Sequence, residues 1–180
     1  MIIKMIRKIS MLLAAVILVS ACGLPAYAQW ETGTNAVTTV AVLAVSDETY
    51  TAETYAAAVF EQVNKARTDA GLKALTALDT LKPLADLRAA EAAVQFSHKR
   101  PDGRSCGTVF SDNGLNYSYA GENLAYGFTK PEELVKAWLN SKSHRDNLLS
   151  GNFVSAGFGY YLNENGTIYC SMLFYTAKAS

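Results

Sequence analysis

The 180-residue chain has few of the residues that announce a chemistry. It holds three cysteines, four prolines and two histidines, and its 16 basic residues are balanced by 16 acidic ones. So few cysteines exclude a disulfide-built scaffold. A zero charge balance leaves no electrostatic footprint for nucleic acid. No GxSxG elbow, phosphate loop or dinucleotide fingerprint occurs, and the two histidines are too far apart for HExxH or a zinc finger. What is present is apolar: 50% hydrophobic and 11% aromatic residues. That composition excludes a disordered chain, and the length suits one domain with a tail.

The N-terminus reads as an address. Lys4, Arg7 and Lys8 precede an apolar run from Ile9 to Ser20. This is the layout of a secretory signal, and the run falls short of the roughly 20 residues of a membrane span. Two processing sites compete. Ala26-Tyr27-Ala28 has the small-x-small pattern for cleavage before Gln29, whereas Val19-Ser20-Ala21-Cys22 resembles a lipobox, which would anchor a surface lipoprotein through Cys22. The expected destination is extracellular after cleavage, with membrane attachment only if Cys22 is lipidated. Removing residues 1–28 takes away three basic and no acidic residues, so 13 basic face 16 acidic and the net charge becomes −3. Cys106 and Cys170 then remain as an even pair, which suggests a disulfide in an exported protein.

Residues 29–50 read as a linker or arm, with a strand between Ala36 and Val45 as the alternative, and the domain proper is expected over 51–180. Tyr55, Val59, Val63 and Ala66 share one helical face, and Gly71 suits the stop. A second helix is predicted from Asp79 or Thr80 to near His98, with Pro83 in its first turn and small alanines that allow close packing. Arg100-Pro101-Asp102-Gly103 fits a type I turn. Residues 104–128 read as a long glycine-containing loop of the kind that is usually functional. Thr129 and Glu132 are spaced as a capping box for a helix over Pro131–Ser141 that buries Leu134, Val135 and Trp138. A turn or short helix carries His144 to Leu149. A hairpin of Phe153–Leu162 and Thr167–Phe174 closes the chain around Asn163–Gly166, with Gly157 and Gly159 marking a bulge or a close backbone approach. Helices first and a hairpin last give an α+β fold.

The candidate chemistry rests on His98, His144 and Glu122. Both histidines sit in polar surroundings. Glu122 lies between Gly121 and an apolar run, and a carboxylate there either accepts backbone N–H bonds or works beside a histidine. A cysteine nucleophile would need a thiolate, and the two mature cysteines are better explained as a bridge.

These segments together resemble the CAP superfamily (SCP/TAPS, cysteine-rich secretory or pathogenesis-related-1-like proteins), in its bacterial secreted branch. The matching pieces are VNKARTDAGLKAL at 63–75, LADLRAAEAAVQFSHKRPDG at 84–103, GENLAYG at 121–127, AWLNSKSHRDNLL at 137–149, and GFGYY followed by IYCSMLF. The resemblance implies a three-layer α-β-α sandwich with a small antiparallel sheet and a cavity where His98, Glu122 and His144 converge. It implies a divalent metal such as Zn²⁺ on His98 and His144, although Ser141 stands where the family's second cavity glutamate falls. The Cys106–Cys170 bridge would tie the loop after the RPDG turn to the last strand. Two functions follow. The first is a non-enzymatic module for an extracellular or envelope lipid, glycan or protein. The alternative is a metal-dependent hydrolase using His98, His144 and Glu122.

Overall fold

The computed structural model describes residues 50–179. The signal segment, the lipobox with Cys22 and the arm up to residue 49 lie outside the described residues.

Helix α1 (Ala52–Asp69) opens with a capping box in which Thr51 and Thr54 satisfy each other's backbone amides. Its apolar stripe buries Tyr55, Val59 and Val63. Strand β1 (Thr76–Ala77) and a 3₁₀ turn at Asp79–Leu81 lead into α2 (Lys82–Val94), with Pro83 in the first turn. The RPDG turn closes as the pattern required, Gly103 N–H donating to the Arg100 carbonyl at 2.8 Å with Gly103 at φ +87°. A single-turn helix α3 (Thr108–Ser111) precedes strand β2 (Tyr117–Tyr126). Helices α4 (Pro131–Asn140) and α5 (Lys142–Leu148) follow, and the hairpin β3 (Ser155–Leu162) and β4 (Ile168–Ala177) ends the fold.

The sheet order is β1-β3-β4-β2, antiparallel except for the short parallel β1–β3 pair. Strand β4 is central, and side chains alternate across it. Cys170, Met172 and Phe174 enter one core with α1, α4 and α5, through Tyr55, Val59, Trp138 and Leu148. Leu173 and Tyr175 enter a second core with α2 and α3, through Leu84, Ala85 and Phe110. Helices on both faces of one sheet make the expected three layers.

Close packing of α2 on the sheet depends on two glycines. A Cβ at Gly159 would lie 2.0 Å from the carbonyl carbon of Ala85, and one at Gly157 would lie 2.5 Å from Leu81 Cβ. The glycine pair therefore marks a close backbone approach. Opposite the sheet, buried Arg67 of α1 donates to the carbonyls of Lys73, Leu148, Ser150 and Phe153, so one guanidinium ties α1 to the end of α5 and the loop beyond it.

Three expectations need correction. The segment 104–128 is not all loop, because Tyr117–Tyr126 forms a ten-residue strand paired along β4. Thr129 does not cap α4; Lys130 occupies that position and no side chain bonds the helix start. Cys106 and Cys170 are free thiols, not a bridge. Cys170 pairs with Ala125 and shares the α1–α4 face, whereas Cys106 lies beside Glu122, whose register partner Leu173 faces α2. The sheet separates the two sulfurs.

Candidate ligand cavity at the edge of β2

Because β2 is an edge strand, both outer layers reach it. Glu122 projects toward α2 and Asn123 toward α5, in keeping with strand alternation. Gly121, just before them, is pressed by Phe153 and Asn147; a Cβ there would meet the Phe153 ring at 2.9 Å.

On the α2 side, Glu122 is buried and fully engaged. Arg88, itself without solvent exposure, donates through Nε to Oε2 at 2.6 Å and through Nη2 to Oε1 at 3.2 Å. His98 Nδ1 lies 2.8 Å from Oε1. Burial pushes the Glu122 carboxyl up, but the His98 and Arg88 hydrogen bonds and the Arg88 charge outweigh it and hold the group below its ordinary value. The Glu122 hydrogen bond conversely raises His98, against burial and the Arg88 charge. The His98 side chain keeps 59% of its surface exposed, so it forms the solvent side of a buried ion pair.

Arg88 anchors a wider network that sequence reasoning missed. Its guanidinium also bonds Glu91 and the Ser97 carbonyl. Glu91 accepts from Arg100 at 2.7 Å, Arg100 donates to Asp112 at 2.8 Å, and Arg104 bridges Asp112 and Asp102. Alternating charges thus join α2, the RPDG turn and α3. The available signal was Arg88 within the apolar stripe Leu84, Ala85, Ala89 and Ala92, since a charge among such neighbours must be paired.

On the α5 side, Asn123 has no solvent exposure; its Nδ2 donates to the His144 carbonyl at 3.0 Å and its Oδ1 accepts from Asn147 at 2.9 Å. Asn147 also donates to the Glu122 carbonyl. The His144 ring lies 6.4 Å from the Trp138 ring, and Trp138 Nε1 donates to the Leu124 carbonyl. Burial lowers His144, and the His98 charge lowers it further. The two histidines therefore share one edge and sense each other.

His144 does not join Glu122 and His98 in a ligand-sized group. Among the described residues, that group is His98, Cys106 and Glu122, with one donor atom from each within 4.8 Å of the others. The Cys106 thiol is raised by burial and by the Glu122 charge and hydrogen bond, so it is no ready nucleophile. A divalent ion fits the donor chemistry of these three better than that of the His98–His144 pair.

The sequence profile described as the cysteine-rich secretory protein family, CAP, matches residues 60–175. The chain belongs to that family. Among relatives of this CAP domain, YkwD of Bacillus subtilis is 38% identical over 117 residues, which are 64% of this chain and 45% of YkwD. The B. subtilis membrane protein YlbC is 33% identical over 64 residues, or 36% of this chain and 18% of YlbC. The chain thus spans less than half the length of these curated relatives. An outer surface protein of Borrelia burgdorferi superposes with a TM-score of 0.66 at 21% identity, over 72% of this chain and 97% of that one. An extracellular SCP-domain protein of Bacillus anthracis gives 0.61 at 24% identity, over 67% of this chain and 40% of that one. Both likenesses place the CAP fold, and family membership agrees with the resemblance in the sequence.

Proposed function

We propose that this CAP domain is an exported binding module whose His98–Glu122 cavity recognises an extracellular or envelope ligand, and that it is not a hydrolase. The observation that carries this reading is the commitment of Glu122. Both carboxylate oxygens accept hydrogen bonds from Arg88, and Oε1 also meets His98. A general base must take a proton from water or substrate. This carboxylate, held below its ordinary value against burial by the His98 and Arg88 hydrogen bonds and the Arg88 charge, has little affinity for one. The exposed His98 ring and the half-buried His144 ring are instead placed to receive a ligand. A divalent metal ion held in the cavity would supply Lewis-acid polarisation of that ligand's oxygen atoms.

Export is supported by the signal-like residues 1–28 and by the extracellular and outer-surface descriptions of the two structural neighbours. Among the described residues, no helix is long and apolar enough to cross a membrane. The partner classes are lipid, glycan and protein.

The test combines turnover with retention. Purified protein is assayed against ester, amide and phosphoester substrates with divalent metal present and absent. It is also passed over immobilised envelope glycans, lipid vesicles and extracellular protein fractions. The expected result is no turnover above buffer, together with retention on one class that is lost in His98→Ala/His144→Ala. Specific hydrolysis abolished by Glu122→Gln would overturn the reading.

A further inference from the structure

Beside His98 and Glu122 lies a third heteroatom donor, the Cys106 sulfur, that neither the ion-pair network nor the binding reading above uses. We propose that His98, Cys106 and Glu122 form a site for a thiophilic divalent cation of the Zn²⁺ class, with the Cys106 sulfur rather than His144 as the third ligand. The inference rests on the reading of this cavity as a binding site.

Three observations support the assignment. Nitrogen, sulfur and oxygen donors from three separate segments come within 4.8 Å of one another: the loop after α2, the turn before α3, and β2. Their supports are fixed. The Cys106 amide donates to the His98 carbonyl at 2.9 Å, which ties the two ligand-bearing residues together directly, and Arg88 clamps both carboxylate oxygens of Glu122. Such outer partners orient ligands before an ion arrives. The sulfur is also accessible. Cys106 is a free, half-buried thiol that lines a neighbouring cavity of about 180 Å³ with Ser105, Phe110, Tyr117 and Gly121, a cavity that neither His98 nor Glu122 lines, while His98 opens to solvent on its own side.

The donor set decides the ion. Hard Mg²⁺ and Ca²⁺ prefer all-oxygen shells, whereas thiolate with imidazole and carboxylate suits Zn²⁺ and its congeners. Three protein ligands leave a coordination position open for water or ligand. The proton balance is simple. The Cys106 S–H bond breaks, the sulfur–metal bond forms, and the proton passes to buffer. The proton that Glu122 favours on His98 is released to buffer as well, so that His98 binds as a neutral imidazole, and nothing is oxidised or reduced. Arg88 opposes a cation, but Glu91 bonds the same guanidinium and offsets its charge.

Co²⁺ tests the assignment without reference to any activity. Titration of the metal-stripped full chain should give a near-ultraviolet sulfur-to-cobalt charge-transfer band that saturates at one equivalent and is bleached by Zn²⁺. Cys106→Ser should abolish the band and weaken Zn²⁺ binding by roughly tenfold or more, as expected for loss of one of three ligands. Its melting curve should overlay that of wild type, which separates ligand loss from misfolding. His144→Ala should retain the band and keep affinity within about twofold. A band that persists in Cys106→Ser, binding without a band, or no binding at all would overturn the assignment. Retention of an envelope ligand by the metal-stripped protein would leave the binding-module reading standing in any of those cases.

Discussion

At the scale of single residues, the Arg88–Glu122 pair sets both the stability and the electrostatics of the site. Both side chains are essentially without solvent exposure, so each is costly without the other. Arg88→Met should therefore destabilise the domain by about 3–5 kcal/mol in urea unfolding. The double variant Arg88→Met/Glu122→Leu should recover much of that, because an apolar pair of similar volume often matches a buried ion pair. A double variant as unstable as the single would argue against the pairing. The same carboxylate sets a pH window. His98 is raised above 6.5 in the fold, so its contribution is fully present below 6.5 and is lost as pH climbs through the higher folded value. Glu122 is lowered from 4.5, so its contribution is present above 4.5 and is lost as pH falls through the lower folded value. In chelator-treated protein, wild type minus His98→Gln stability should thus shrink with rising pH above neutrality; a difference flat from about pH 5 to 9 would count against it. His98 and Glu122 were legible in the sequence because an isolated carboxylate beside glycine and a scarce histidine stand out. Arg88 and Cys106 were not, since their roles exist only once α2 and the α3 turn lie beside β2.

At the scale of elements, α1, α4 and the hairpin followed from periodicity, and so did α2 except that it stops at Val94 short of His98, but α3 and β2 did not. Its central residues, Gly121, Glu122 and Asn123, are poor strand formers and break the apolar alternation. Pairing along β4 supplies what local propensity lacks, and the edge position lets those buried polar side chains find partners from α2 on one face and α5 on the other. The missing cap on α4 has a related cause. Thr129 lies one residue too early for its hydroxyl to serve the helix start, and burial of Pro131, Leu134, Val135 and Trp138 fixes α4 instead. The α2–β3 contact makes the sharpest prediction at this scale. Ala85 backbone lies 2.0 Å from where a Gly159 Cβ would stand, and backbone cannot rotate away as a side chain can. Gly159→Ala should cost about 3 kcal/mol or more, at or above the upper end for overpacking. Gly151→Ala, whose nearest neighbour would be Leu72 Cδ2 at 3.9 Å, should stay within about 0.5 kcal/mol. Equal effects at the two positions would contradict the close helix–sheet approach.

At the scale of the whole domain, the question is what replaces the disulfide that cysteine counting favoured. Counting treats thiols as interchangeable ends, whereas alternation along β4 assigns Cys170 to the α1–α4 core, with its thiol pushed up to about 12 by burial beside the Tyr55 hydroxyl. Cys106 belongs to the other face, with Glu122. Joining them would require one of the two to change faces of the sheet. The loop that a bridge would have pinned is held instead by the charge ladder from Arg88 through Glu91 and Arg100 to Asp112. A native bridge would contribute about 2–4 kcal/mol, so its reduction would lower the melting temperature by on the order of 10 °C. The free-thiol arrangement predicts no such change. Melting curves with and without reductant should overlay, and alkylation of the unreduced, denatured chain should label both Cys106 and Cys170 on peptide mapping. In the native state Cys106 should be labelled first, being half-buried at a cavity, and Cys170 only on the timescale of unfolding. A reductant-sensitive melt with both peptides protected from alkylation would restore the bridge. It would also require Cys106 to leave the cavity, and the three-donor site would then be lost with it.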